Sequence, residues 1–502
     1  MDLKAKYICI LPIFSAVLER QGVPFYIAGN GALVFFILAA CFSSSSPAAE
    51  PPGQAELTLS LPETVLLAVR NNRAVKSAYL ERVVQKFSLE VSEDMFSPKG
   101  SIGASVSRSS GDSGTYRDWQ VGPGVNWKIP TGAEFNFTWT NVGRRDAVGS
   151  QVTSNLAVSV IQPLLKGGGW NVNMAPLLQA RNDEQNNILG LRATLSTTIS
   201  ASVLAFRNLI LAKGQLEIQH NALERAEQLV RINQALIENG RMASQEQVQA
   251  EADVATRELT LASAENNLDS ARLALLALLA LDKHTRIAPS EPMSVPDHRL
   301  DAEALQVVAL SNRTDYLQAR LGLQNLQLAK TLAEDGRNWQ LDLSASATQA
   351  RYSDRPGLAF GGAPVNDRVI GLQLNIPLFD KSRDLSPLRA RISLEKAEIA
   401  LADLRESIER EVLDGVRDAR IKHRQVDLAR RALKLTEQKL SIERAKFSAG
   451  RSNNFQVVQY ENDLVIAQNQ ELSAILDYLN ALTQLDEILG TTLDTWKIKL
   501  EP

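Results

Sequence analysis

Two stretches of the chain carry hydrophobic positions at a spacing near 3.5 over distances that no ordinary globular core requires. Within residues 382–449, Leu394, Leu401 and Ile408 stand seven apart, as do Leu433, Leu440 and Phe447. Glu, Lys, Arg, Ala and Leu fill most of the remainder, so the pattern predicts an unbroken helix packing along a neighbour in coiled-coil fashion. Residues 173–239 repeat the pattern through Leu223, Val230 and Ile237. At about 1.5 Å per residue, roughly 65 residues make a rod of roughly 100 Å. Each rod stops at a glycine, in Asn239-Gly240-Arg241 and in Ala449-Gly450-Arg451, where a left-handed residue closes a helix. Helical spacing then resumes over 244–281, where Ser244 and Gln247 fit a capping box, and over 454–489.

The start of the chain speaks in two periods. Val65, Leu66, Val69, Val75, Tyr79, Val83, Phe87 and Val91 recur at helical spacing behind Pro62, which predicts one helix of about 30 residues closing at Ser97-Pro98. The period then drops to two. Ile102, Ala104 and Val106, then Val121, Val125 and Trp127, then Phe135, Phe137 and Trp139, then Leu156, Val158 and Ile161 predict four strands, with a turn at Pro130-Thr131-Gly132. On alternation alone a water-soluble sandwich is the better reading, ahead of a membrane barrel. A sandwich has no use for 100 Å rods, whereas barrel strands carry a lipid-facing band with aromatics at its margins. Pro163 closes the strand region. Gly167-Gly168-Gly169 lacks the Lys-Ser/Thr of a phosphate loop and reads as a strand-to-helix turn. Residues 282–299 read as a linker carrying Pro289, Pro292 and Pro296.

The second half repeats the first. Ala309-Leu310-Ser311-Asn312-Arg313 echoes Val69-Arg70-Asn71-Asn72-Arg73, in a helix predicted over 301–335. Strands follow at 341–351 and 368–374. Ile376-Pro377-Leu378-Phe379 echoes Gln162-Pro163-Leu164-Leu165, and Gly450-Arg451 echoes Gly240-Arg241. Landmarks recurring in one order imply an internal duplication. Each unbroken rod needs a return column of equal length. Residues 244–281 with 301–335 supply one, and 454–489 with 62–94 supply the other, so the first helix is expected to stack on the last. One chain holds too few strands to close a barrel, so several copies are expected to pool them in cyclic symmetry.

Composition narrows the reading. A net charge of -3 over 502 residues, without a basic stripe, gives nucleic acid no footprint. Cys9 and Cys41 are the only cysteines, which rules out a disulfide framework. Lys4 and Lys6 precede an apolar run, and a second run ends in Leu38-Ala39-Ala40-Cys41. This reads as a signal peptide over 1–41 whose lipobox makes Cys41 a lipidation site; an ordinary secretory signal cut near 46–49 is the alternative. Residues 42–56 form a Ser/Pro/Ala linker and 491–502 a C-terminal tail. His220, His284, His298 and His423 are scattered, and Glu265 with Asp269 is an ordinary helix pair, so no catalytic, metal or cofactor site is assigned.

Taken together, Leu57-Thr58-Leu59 with Glu63, Ala68 and Asn71-Asn72, the strand-end motifs Gln162-Pro163-Leu164 and Ile376-Pro377-Leu378-Phe379, and the turns at Gly240 and Gly450 resemble the TolC family of outer-membrane efflux proteins. The resemblance implies a mixed, mainly α fold in two repeats, 57–299 and 300–490. It implies a homotrimer: a transmembrane β-barrel of twelve strands, four per chain, continuous with a long periplasmic α-helical barrel. It further implies passive conduction in a tripartite efflux or type I secretion system, with a periplasmic adaptor (membrane fusion) protein and an inner-membrane pump of RND or ABC type. A non-conducting trimeric scaffold and a periplasmic coiled-coil binding protein are the alternatives. Glu246, Gln249, Gln456 and Gln459 fall at the implied tunnel mouth, and Gly240, Arg241, Gly450 and Arg451 at the implied adaptor contact. Three features depart from the family. Arg73 replaces the usual proline. Gln456 and Gln459 stand where some relatives carry aspartates. The first half holds four strand segments in place of two, and the sequence leaves three places open for the hairpin at about 121–142: in an enlarged barrel, outside the membrane, or lining the pore.

Overall fold

The computed structural model describes residues 57–111, 114–145, 149–240, 242–290, 294–296, 300–353 and 363–499. The expected leader with Cys41, the linker 42–56, and Arg241 lie outside the described residues. Strand β1 (Leu57–Leu59) leads into α1 (Leu61–Asn71), and Ser60 caps α1 reciprocally with Glu63. The Ser60 hydrogen bonds hold the Glu63 carboxyl below its ordinary range. Helix α2 (Arg73–Glu93) follows only after a break, which corrects the expected single helix. Asn72 leaves the helical region (φ −55°, ψ 134°). Its side-chain oxygen accepts from the amides of Ala74 and Val75, and its Nδ2 donates to the Leu278 carbonyl at 2.9 Å. The asparagine ends one helix, starts the next and ties both to a third.

Four strands come next, β2 (Lys99–Gly111), β3 (Gly114–Lys128), β4 (Glu134–Arg145) and β5 (Ser150–Pro163), then the rod α3 (Trp170–Glu238) and its return α4 (Gln245–Leu279). Ser244 is not a cap: its backbone is helical and its side chain makes no capping bond. The expected linker holds a short strand, β6 (Ile287–Pro289), paired in parallel with β1. The second half runs α5 (Ala302–Asn312), α6 (Thr314–Gly336), β7 (Gln340–Ser353), β8 (Val365–Asn375), the rod α7 (Ser382–Ser448), α8 (Asn454–Leu489) and α9 (Thr492–Thr495). Here too the predicted single helix is broken, at Arg313, whose guanidinium is held by Asp315 at 2.7 Å and by Glu411. Those bonds push the arginine well above its ordinary pKa.

The rods have 69 and 67 residues, about 100 Å each. The stacking of the short columns differs from expectation. Leu59 and Ala68 pack with Leu275, Leu276 and Leu279, so α1 and α2 continue the column of α4. Ala309 packs with Leu485 and Leu489, and Gly490 lies so close to Asn312 that a Cβ there would sit 2.8 Å from its carbonyl, so α5 and α6 continue α8. The four short segments are so nearly equal in length that either pairing satisfies the length match; only side-chain contact decides. The core is strung along the rods as separate apolar clusters.

Candidate channel wall and helical tips

The long strands form one six-stranded antiparallel sheet in the order β2-β3-β4-β5-β7-β8. Its register sorts side chains onto two faces of opposite character. One face carries Ile102, Ala104 and Val106 of β2, then Trp119, Val121, Pro123, Val125 and Trp127 of β3. It continues through Phe135, Phe137 and Trp139 of β4, Leu156, Val158 and Val160 of β5, Leu343, Ala345 and Ala347 of β7, and Ile370, Leu372 and Leu374 of β8. The other face is lined by Ser101, Ser105, Gln120, Asn126, Asn136, Thr138, Thr140, Thr153, Ser159, Ser344, Ser346 and Thr348, with an ion pair between Asp118 and Arg144 at 2.9 Å. Trp119 and Trp127 stand about 26 Å apart along the strand, which a tilt of about 40° turns into about 20 Å of height, inside the apolar band of about 25 Å that aromatics bound in a transmembrane barrel. The apolar face is open: Ile102, Val106 and Ile370 are 80–83 % exposed. Among the described residues no strand pairs with the outer edge of β2 or β8.

The lower turn between β3 and β4 is seated where β5 becomes α3. The Thr131 carbonyl accepts from the Gly169 amide at 3.0 Å and from Gln162 Nε2 at 3.3 Å. Gly132 has φ +94°, and a Cβ on it would lie 2.4 Å from the Gly167 carbonyl oxygen. The glycine run is therefore a socket for this turn, and Asn173 braces it by donating to the carbonyls of Gly167 and Gly169, each at 2.9 Å.

At the far end of the rods the two helical hairpins turn at Gly240 (φ 68°) and Gly450 (φ 71°). The Gly450 and Arg451 amides donate back to Phe447 and Lys446, both at 2.9 Å, a Schellman closure. Leu229, Phe447 and Val457 form an apolar plug with Leu236, Met242 and Val458. Around it lies a buried polar lattice. Asn233 donates to Asn454 at 3.0 Å, both side chains wholly buried. Glu461 lies between two arginines, accepting from Arg225 Nε at 2.9 Å and from the Arg444 guanidinium. Glu443 accepts from the Ser452 hydroxyl at 2.5 Å and from Lys446 Nζ at 3.1 Å, which hold its carboxyl below the ordinary range. Lys439 bonds Asp463 at 2.9 Å and rests over the Tyr460 ring, and the Asp463 bond raises its pKa. Arg257 joins Asp253 at 2.8 Å to Asn462 at 3.0 Å, linking α4 to α8.

Comparison with known proteins agrees with this geometry. The family model described as outer membrane efflux protein matches residues 305–491. The solved structure of the CmeC outer membrane channel of Campylobacter jejuni superposes with a TM-score of 0.68 at 16 % identity, over 86 % of each chain. The outer membrane protein VceC of Vibrio cholerae gives 0.67 at 16 %, covering 86 % of this chain and 96 % of its own. The MtrE outer membrane channel of Neisseria gonorrhoeae, in its open state, gives 0.65 at 15 %, covering 86 % and 89 %. The fold is that of the outer-membrane channels. No curated protein matches the chain in sequence. The resemblance to the TolC family drawn from the sequence landmarks is borne out, and two of these structures, CmeC and MtrE, are described as outer membrane channels.

Within the channel fold the residues singled out by sequence fall at the tips but are not joined to one another. Glu246 and Gln456 are half-buried and Gln249 and Gln459 exposed. The Glu246 carbonyl receives Asn454 Nδ2 at 3.5 Å, the Gln456 amide is capped by Asn453 at 2.9 Å, and Gln459 donates to Asp463 at 3.3 Å. Among the described residues no hydrogen bond links these four side chains. Sequence reasoning missed Arg225, Asn233, Glu443, Arg444 and Glu461. A signal existed for two of them: Asn233 continues the inward spacing of Ala222, Ala226 and Leu229, and Glu461 that of Asn454 and Val457. A polar group on an inward seam demands a partner.

Proposed function

We propose that the protein is the outer-membrane channel of a tripartite efflux or type I secretion assembly, conducting solutes passively from the periplasm to the exterior as a homotrimer. The observation that carries this reading is the two-faced sheet, apolar on one side, polar on the other, open at both edges, and continuous with 100 Å rods. Three copies joined edge to edge satisfy every unpaired strand group, as lipid requires. The rods support the same assembly. Along α7, Ile421, Leu428, Leu435 and Ile442 recur at seven and stay about half exposed, a second apolar seam besides the one its own chain fills. Along α2, Leu80, Val83, Phe87 and Val91 are exposed in the same manner. Both stripes suit a neighbouring copy.

On this reading the hairpin of β3 and β4 belongs in the wall, which then has eighteen strands, six from each chain, where the family resemblance implied twelve. Ladder pairs on both of its sides and a division of faces that it shares with its neighbours, Asn141 and Val142 excepted, favour the wall over either other place. The even number keeps β8 antiparallel to the β2 of the next copy. Ring size agrees. Twelve helices at about 9.5 Å spacing make a ring about 36 Å across. Eighteen strands tilted by about 40° make a wall about 36 Å across, whereas twelve make about 24 Å. The barrel and the helical ring then meet without a taper.

The narrow point falls at the tips. Glu246, Gln249, Gln456 and Gln459 line the mouth, and Gly240, Arg241, Gly450 and Arg451 meet the adaptor. Opening requires the hairpins to part under partner contact, and mouth width and charge set selectivity, with the pump choosing cargo. Cys41, when acylated, adds a lipid anchor. Single-channel recording in planar bilayers, paired with the mass of the detergent particle, tests the proposal: discrete conductance from a trimer is expected, and a sealed or stably monomeric particle overturns it.

A further inference from the structure

The apolar face of the sheet carries charge of one sign and in one place. Arg108 on β2, Arg117 on β3, Arg145 on β4, Arg351 on β7 and Arg368 on β8 all lie on it by register. Each stands within three residues of the strand end that leads into a hairpin loop, the end away from the helices. No Asp or Glu of these strands shares the face: Asp118, Glu134, Asp342 and Asp367 all fall on the polar side. Arg117 is directly opposed by Arg108 on one neighbour and by Arg145 on the other. Like charges in that position repel unless an anion lies between them. Trp119 separates this row from the apolar band, so the row begins where the hydrocarbon ends.

We propose that these five arginines form a binding belt for phosphate-bearing lipid headgroups in the outer leaflet. The proposal rests on the membrane-channel reading, because only a lipid-facing outer rim brings such headgroups to this row. Guanidinium forks suit phosphate oxygens, and a bridging phosphate turns the Arg108-Arg117-Arg145 row from repulsive to attractive. Their number on one face, with no acid among the described residues of that face, fits a polyanionic lipid better than a zwitterionic one, whose amine would find no carboxylate there.

The experiment uses detergent-solubilised full-length protein and purified bis-phosphorylated lipid A, with its dephosphorylated form as control, scored by native mass spectrometry. Retention of the phosphorylated lipid at least tenfold above the dephosphorylated one is expected. Loss of that preference is expected when the five arginines are changed to Gln, with none when Arg144 on the polar face is changed to Gln. Competition by inorganic phosphate at equal concentration is expected to be weak; efficient competition would mean a simple anion site and overturn the lipid assignment. Equal retention of the two lipids by the unaltered protein overturns the proposal, and that comparison stands even if the fivefold variant does not assemble. A sealed particle that still prefers phosphorylated lipid would sink the conduction reading and leave the belt intact.

Discussion

Replacing Glu461 by Gln probes the tip where its polar lattice is densest. Glu461 is 5 % exposed, and its carboxylate is shared by Arg225 on α3 and Arg444 on α7, so one residue of α8 ties three helices. Breaking a buried ion pair by removing one partner costs about 3–5 kcal/mol, because the other charge is left uncompensated. Here the loss is smaller. The Arg444 side chain is 45 % exposed and can turn to water, while that of Arg225 is 18 % exposed and already has a buried Nη2 without a protein acceptor. About 2–3 kcal/mol of local stability should therefore go, most of it through Arg225. At 1.4 kcal/mol per tenfold, that lowers protection of tip amides from hydrogen exchange by about 30- to 150-fold, with little change in the upper rods. A cycle with Arg225→Met isolates the pair: a coupling energy above about 1 kcal/mol is expected, since the residues touch. If the two changes add within experimental error, or if protection falls equally at the tips and at Leu195 or Ile199, far up the same rod, the carboxylate is not the tie between the helices.

Four other outcomes follow from the geometry. Asn233→Leu alone leaves Asn454 buried without its donor and should lower the melting temperature, whereas the double change with Asn454→Leu should recover stability while loosening helix register, read as broader tip exchange. The Glu443 contact with Ser452 involves a carboxylate held below its ordinary value of 4.5, so its contribution is complete above that pH and fades as pH falls through the lower folded value; tip exchange should rise only in that acid window, and Ser452→Ala should shift the window upward. Arg82 grips Glu184 with two bonds, at 2.6 and 2.8 Å, joining α2 to α3; Arg82→Lys keeps the charge but loses the fork and should cost about 1 kcal/mol, measurable as a lower denaturation midpoint. Gly132→Val should unseat the lower turn of the inserted hairpin, while a chain lacking 112–149 should still let β2 meet β5 antiparallel; electron cryomicroscopy should count eighteen wall strands in the intact protein and twelve in the shortened one.

The rods, their glycine stops and the four early strands were legible because each rests on local pattern: a sustained 3.5 period, a residue needing positive φ, an alternation of two. The breaks at Asn72 and Arg313 were not legible. Helical spacing runs through both, and what opens the backbone is tertiary: Asn72 reaching Leu278, and Arg313 held across to Glu411. The tip lattice was half legible. Position relative to the turn glycines led to Gln456 and Gln459, but the residues of α8 that bind the helices together are the buried polar groups two positions outside that pair, Asn454 and Glu461, which reach Asn233 and Arg225 on α3 and Arg444 on α7. Burial, not nearness to the turn, marks them.

The duplication itself explains where inference from sequence had to stop. The helices of the two halves correspond closely, so any argument from length treats α1 with α2 and α5 with α6 as interchangeable, and the choice of which column each continues is degenerate. Contact removes the degeneracy: Gly490 admits the Asn312 backbone, and Asn72 bonds the end of α4. The strands break the symmetry instead, four in the first half and two in the second. An insertion of two strands preserves both the antiparallel order at the open edges and the assignment of faces. In the proposed ring an insertion of one would have reversed β2 against the next copy. That the added hairpin is even, in register, apolar on the side of its neighbours, and seated by its lower turn in the glycine socket of β5 and α3 is the combination that a wall element must have and an appended loop need not.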